Sequence, residues 1–335
     1  MGGTRYDDSV YTARVSSAAA AGTDLFTHDA DIRSGVAEMK VHEKLDPARK
    51  NAAGKVIRES FDSDVHPDSR AVAVIFDVTG SMSTVPRLFV SKLDKLMASL
   101  VKKGFLAHPH ILFGAVGDAK SDRVPLQIGQ FEGGNEMDDA LTNIVLEGNG
   151  GGQNTESYEL AMYFMARHTD MHCYTQRGQK GYLFLMGDER PYPEVRATEV
   201  RKIVGVDIHE NIPTEAMLAE LRQKFEVFWL MPGGTSHWDD DAVEAPLKKL
   251  FGQSFIKMPK PDDVVETICS VIGVNEGFDL DEVGAALRDV GADADAVSRA
   301  TKSLTVYASS KAVAKGGAVT GGTLVEGKPS KVSRL

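Results

Sequence analysis

Cysteine is nearly absent: Cys173 and Cys269 stand alone, far apart, with no Cys-x-x-Cys pair. That excludes a disulfide-built scaffold and favours a reducing compartment. Long apolar runs are missing too. The longest clean one, Ala71 to Phe76, falls well short of the roughly 20 residues a membrane-crossing helix needs. The opening residues lack the charged, apolar and cleavage regions of a signal peptide, and Tyr6 stands where a myristoylation motif needs Ser or Thr. The expectation is a cytoplasmic protein with no membrane or lipid anchor. No Lys/Arg block occurs, and acidic residues outnumber basic ones by 48 to 38, so nucleic acid is not an expected partner. No internal repeat at solenoid or propeller periods is found.

The sequence does offer enough apolar material for a core. Hydrophobic residues make up 42% and charged residues 26% of 335, the mix of a soluble globular chain long enough for one large domain with extensions. Residues 1–70 are polar and broken by Gly, Asp and Pro, so they read as an arm without sustained periodicity. At Ala71 the character changes. AVAVIF closed by Asp77 predicts a strand buried on both faces of a parallel sheet. A helix is expected next, with Pro86 in its first turn, Phe89, Leu93, Leu96, Met97 and Leu100 at helical spacing, and Lys102-Lys103-Gly104 at its end.

Further strands are expected at Ile111 to Val116, Tyr182 to Met186, Val227 to Met231 and Ser254 to Ile256, with Val124 to Phe131 as an antiparallel edge. Helices are expected at Met137 to Leu146, Ser157 to Ala166, Glu194 to Val204, Thr214 to Phe225, Ala242 to Leu250 and Asp262 to Ile272. Strands separated by helices predict an α/β fold, doubly wound, with a mostly parallel central sheet, one antiparallel edge strand and helices on both faces. The expected organisation is an arm over 1–70, the α/β domain over 71–275, a small helical extension over 276–310 and a disordered tail over 311–335.

Ligands of open α/β sheets bind outside the carboxyl ends of the strands, so the loops there are read together. The first strand ends in Asp77-Val78-Thr79-Gly80-Ser81, a carboxylate and two hydroxyls at alternate positions. Gly150-Gly151-Gly152-Gln153-Asn154-Thr155 leads into a helix and adds a hydroxyl; Gly187-Asp188-Glu189 adds a second carboxylate. A small hard dication takes about six oxygens and keeps some of its waters. Cysteine and histidine, the ligands of zinc, are missing from all three loops. Mg²⁺, or Mn²⁺, is the expected ion.

Asp-Val-Thr-Gly-Ser, then Gly-Gly-Gln-Asn-Thr, then Gly-Asp-Glu resemble, in order and spacing, the metal-ion-dependent adhesion site of von Willebrand factor type A (vWA) domains, over roughly Ala71 to Gly273. Thr79 stands where the family has its first Ser, a substitution common in intracellular members. The resemblance implies that Thr79, Ser81 and Thr155 ligate the metal directly and that Asp77 and Asp188 act largely through water. It further implies that a carboxylate from a protein partner completes the metal site, and that the chain is a non-enzymatic binding module or adaptor. An AAA+ ATPase of the MoxR type is the partner suggested by intracellular relatives.

Other readings stand beside this one. Asp77, Thr79 and Ser81 would serve simply as helix caps, which leaves Thr155 and Asp188 unexplained. A haloacid-dehalogenase-like phosphotransferase would need a second Asp where Thr79 stands, and no P-loop occurs. A structural subunit that self-associates through its arm and tail is the alternative of a different class. Asp118 and Glu189 read as outer-shell or turn residues, His168, His172 and Cys173 as a helix end rather than a zinc site, and Trp238 as packed rather than exposed.

Overall fold

In the computed structural model, which describes residues 3–148 and 154–317 (Ser81 and 312–317 by backbone alone), the run at Ala71 lies in the interior of a six-stranded sheet. In chain order the strands are β1 (Arg70–Asp77), β2 (Pro109–Val116), β3 (Leu126–Ile128), β4 (Gly181–Met186), β5 (Phe225–Pro232) and β6 (Phe255–Met258). Their spatial order is β6-β5-β4-β1-β2-β3, all pairings parallel except the antiparallel β2–β3 edge. The chain is thus α/β with a mostly parallel central sheet, and the antiparallel edge pairing falls within the expected Val124 to Phe131 segment.

Side chains alternate across β1. Val72, Val74 and Phe76 enter one apolar cluster with residues of helices Val85–Val90, Leu93–Met97, Glu136–Thr142 and Val264–Glu276. Ala71, Ala73 and Ile75 enter a second, with helices Tyr158–Arg167, Ala197–Ile203, Thr214–Lys224 and Asp241–Phe251. Covering both sheet faces is why these strands are continuous apolar runs rather than alternating ones.

Several expected boundaries change, each for a tertiary reason. The helix after β1 is broken at Ser91–Lys92. Lys92, 8% exposed, turns its ammonium inward to the Asp262 carbonyl (2.5 Å) and to Glu266 (3.1 and 3.2 Å). The helix expected to reach Leu146 stops at Thr142, because side chains capture the following backbone: Val145 exchanges two hydrogen bonds with the Gln127 amide, and Leu146 N–H donates to Asp29. Glu194–Val195 pairs antiparallel with Ile212–Pro213, so the next helix begins only at Ala197.

The arm is not irregular. It contains a helix at Asp8–Ala21, capped by Asp7 at its start and by Gly22 in the left-handed region (φ 63°) at its end, and a second at Thr27–Arg33. It lies on the body of its own chain: the Tyr11 hydroxyl donates to the Val90 carbonyl, Asp7 N–H donates to Asn135 (2.8 Å), and Arg14 pairs with Asp139 (2.7 Å). Arg58, 1% exposed, directs its guanidinium to the carbonyls of Ile128, Gly129 and Asp46, tying the segment before β1 to edge strand β3.

After Gly277, where a small helical extension was expected, the described residues form three helices: Leu280–Asp289, Ala294–Ser303 and Thr305–Gly317. The last carries regular structure past Lys311, where a disordered tail was expected; the rest of that expected tail, 318–335, lies outside the described residues. No helix among the described residues is long and apolar enough to cross a membrane.

Candidate functional site

From β1 the chain moves to β2 and β3 on one side, then returns to place β4 on the other. The crevice beyond the carboxyl ends of β1 and β4 is therefore where strand order reverses, the position at which such sheets bind ligands. Phe76 and Met186 are register partners, so Asp77 and the Gly187-Asp188 turn leave the sheet side by side. Thr155-Glu156 runs parallel to Arg190-Pro191, with Thr155 opposite Arg190, and Arg190 N–H donates to the Asn154 carbonyl (3.1 Å). Four of the five expected site residues, Asp77, Thr79, Thr155 and Asp188, thus lie on loops that meet at one sheet edge. The side chain of the fifth, Ser81, and the glycine run Gly150 to Gly152 with Gln153 lie outside the described residues.

Asp77 is fully buried. One oxygen accepts from the Thr79 N–H (2.8 Å) and hydroxyl (2.5 Å), the other from the Tyr158 hydroxyl (2.6 Å). Thr79 thereby spends its proton on Asp77 and keeps its lone pairs. Tyr158 packs against Trp229, whose indole N–H donates to the Gly187 carbonyl (3.0 Å). A Cβ at Gly187 would stand 1.7 Å from the Tyr158 hydroxyl, so only glycine lets β4 end this close to the tyrosine. Asp188, 2% exposed, accepts from His237 N–H (3.2 Å).

Acidic groups crowd the edge. Burial, aided by the Asp188 charge and opposed by the bonds from Thr79 and Tyr158, pushes the Asp77 carboxyl up to about 7. Burial and then Asp77 push Glu156 up to about 10 and Glu189 to about 8. Glu156 is 1% exposed, and one of its oxygens has no hydrogen-bond partner among the described residues; the same holds for one Glu189 oxygen. Burial also raises Glu159, which accepts from Tyr192 N–H (3.1 Å). Asp118 is buried and accepts from the Tyr192 hydroxyl (3.1 Å) and Lys120 N–H (3.0 Å), the turn role expected of it.

Sequence reasoning passed over Glu156, Tyr158 and Glu159. The available signal was Glu156 itself, a carboxylate directly after the expected ligand Thr155 and ahead of an apolar helix. The fit to a hard dication rests on this donor set: buried carboxylates, hydroxyls with free lone pairs and unpartnered oxygens, with no Lys or Arg ion-paired to Asp77, Glu156 or Glu189 among the described residues. Thr79, Thr155, Asp77 and Asp188 could hold such an ion, with Glu156 behind them.

The other candidates fall where the plainer readings had them. His168 bonds to the Val56 carbonyl (2.7 Å), His172 stacks on Phe61, and Cys173 is a buried free thiol. Trp238 is half-buried, with the Lys257 ammonium 4.1 Å from its ring centre.

No protein-family model matches the sequence, and no curated protein matches it. Among solved structures, the pilus adhesin SpaC from Lactobacillus rhamnosus GG, in its open conformation, is similar at 11% identity and a TM-score of 0.40, covering 65% of this chain and 31% of the adhesin. Proximal thread matrix protein 1 from the mussel byssus is similar at 10% identity and a TM-score of 0.36, covering 61% of this chain and 47% of its own. The matched part is thus less than half of either protein, and likenesses this loose carry no argument about activity.

Proposed function

We propose that the carboxyl edge of the sheet is a divalent-cation site of the vWA adhesion type on a doubly wound, vWA-like domain, and that the protein is a metal-dependent binding module. The supporting observation is the buried, cation-poor carboxylate set at the strand-order reversal, with Thr79 and Thr155 hydroxyls beside it. A site whose direct ligands are mainly neutral hydroxyls leaves Mg²⁺ or Mn²⁺ electron-poor, so a carboxylate from a protein partner completes it. Catalysis is not assigned, since a nucleophile with an adjacent base is not the pattern here. A MoxR-type AAA+ ATPase is a partner worth testing on the strength of the sequence resemblance alone.

The test is titration calorimetry of Mg²⁺ and Mn²⁺ into metal-free protein, beside Asp77→Ala and Thr155→Ala variants whose fold is checked by circular dichroism. One bound ion in the wild type, lost in both variants, is the expected result. Absence of binding, together with metal-independent, concentration-dependent assembly in light scattering, would favour the self-associating structural subunit instead.

A further inference from the structure

Next to the cation edge runs a groove of about 630 Å³, a size typical of ligand sites. Thr155 and Arg190 are among its lining residues, so it shares Thr155 with the candidate metal site. Its walls are largely proline: Pro191, Pro193, Pro213 and Pro246, over a floor that includes the fully buried Leu247. Proline offers apolar surface with a fixed backbone and no N–H. The rim is further fixed by Thr214, whose N–H donates to the Pro193 carbonyl (2.9 Å) and whose hydroxyl donates to that of Tyr192 (2.6 Å). A groove built this way is shaped before anything enters, which lowers the entropy cost of binding.

Its charge is opposite to that of the chain. The protein carries a formal net charge of −10, yet the lining holds two cations, Arg190 and Lys249, against the single carboxylate Glu215. Among the described residues neither Arg190 nor Lys249 makes an ion pair, and the Arg190 guanidinium makes only a long bond (3.4 Å) to the Asn154 carbonyl. Unpaired cations in the lining of an apolar trough favour a ligand with apolar and anionic groups side by side.

We propose that this groove receives an extended segment of a protein partner, in which an apolar side chain seated against the prolines is followed by a carboxylate facing Arg190 and Lys249. The inference rests on the cation-site reading in one respect: a neighbouring carboxylate of the same segment reaches the metal past Thr155. Apolar seating fixes where the segment lies; the cations choose which segments stay.

The test is a phage-displayed random peptide library selected on the full chain in magnesium buffer. Enriched peptides are then synthesised and measured by fluorescence anisotropy against the wild type, Arg190→Glu/Lys249→Glu and Glu215→Lys. The expected result is enrichment of acidic residues beside Leu, Ile or aromatic residues, binding weakened about tenfold or more by the double charge reversal and tightened a few-fold by Glu215→Lys. Enriched peptides without acidic residues, equal binding to wild type and double variant, or no enrichment at all would overturn the proposal. The two readings fail separately. Peptides that need Arg190 and Lys249 but ignore chelator count against the cation site and leave the groove standing, whereas a protein that binds Mg²⁺ and selects peptides indifferent to the charge reversal keeps only the metal.

Discussion

Two regions of this molecule bury charge in opposite ways. In the helical layer, Lys92 meets Glu266 and the Asp262 carbonyl, and Arg299 meets the fully buried Asp263 at 2.6 and 2.7 Å. At the carboxyl edge of the sheet, Asp77 and Glu156 are buried and Glu189 is partly buried beside them, with no Lys or Arg ion-paired to them among the described residues. The first arrangement is complete within the chain and serves the fold. The second costs folding free energy as it stands, a cost that the proposed cation would offset.

Removing one partner from the internal pair gives the largest expected effect. Lys92→Met leaves Glu266 buried and unpaired, and should lower stability by about 3–5 kcal/mol in urea denaturation, with most of the loss recovered in Lys92→Met/Glu266→Leu. A single variant that unfolds no more readily than wild type would erase the contrast between the regions. Next in size, Mg²⁺ at about one hundred times its dissociation constant should stabilise the wild type by about 2.7 kcal/mol, and Asp77→Ala not at all; thermal melts with and without chelator measure this.

The contrast sharpens at Glu156. Glu156→Gln removes a buried acid with an unpartnered oxygen, so metal-free stability should rise by about 1–2 kcal/mol, at the expense of metal affinity. A fall in metal-free stability would show that Glu156 is already satisfied within the chain.

The smallest effect concerns a third buried group, His110, whose ring is held down to about 4 chiefly by burial and then by His66. The folded value lies below the unfolded value of about 6.5, so the unfolded chain binds the extra proton first, and stability is lost as pH falls from about 6.5 towards 4. Between pH 7.5 and 5.5 that loss should be about 1 kcal/mol and should be largely absent in His110→Asn.

What was legible in the sequence follows the same division. The strands could be read because a sheet covered on both faces writes itself as unbroken apolar runs, and the loops at their carboxyl ends could be read because residue type and spacing are local. Lys92 could not be read as a helix break, since a lysine at that spacing is ordinary until Glu266 lies opposite. The early stop at Thr142 depends on Gln127 and Asp29, both remote in sequence. The Asp8–Ala21 helix escaped notice because alanine and serine give it little apolar stripe, although Asp7 and Gly22 mark its ends. Tyr158 was read only as part of a helix, and its bond to Asp77 appears once β1 and that helix are packed.

Arg58 has a consequence beyond the segment it ties down. Strand β3 is the outermost strand on its side, and an outermost strand ordinarily exposes backbone groups on which a foreign strand can grow. Here the carbonyls of Ile128 and Gly129 are occupied by the guanidinium, and the side-chain amide of Gln127 holds the backbone of Val145. On that border the chain's own residues hold part of the strand's outer edge, which makes it a poorer template for another chain.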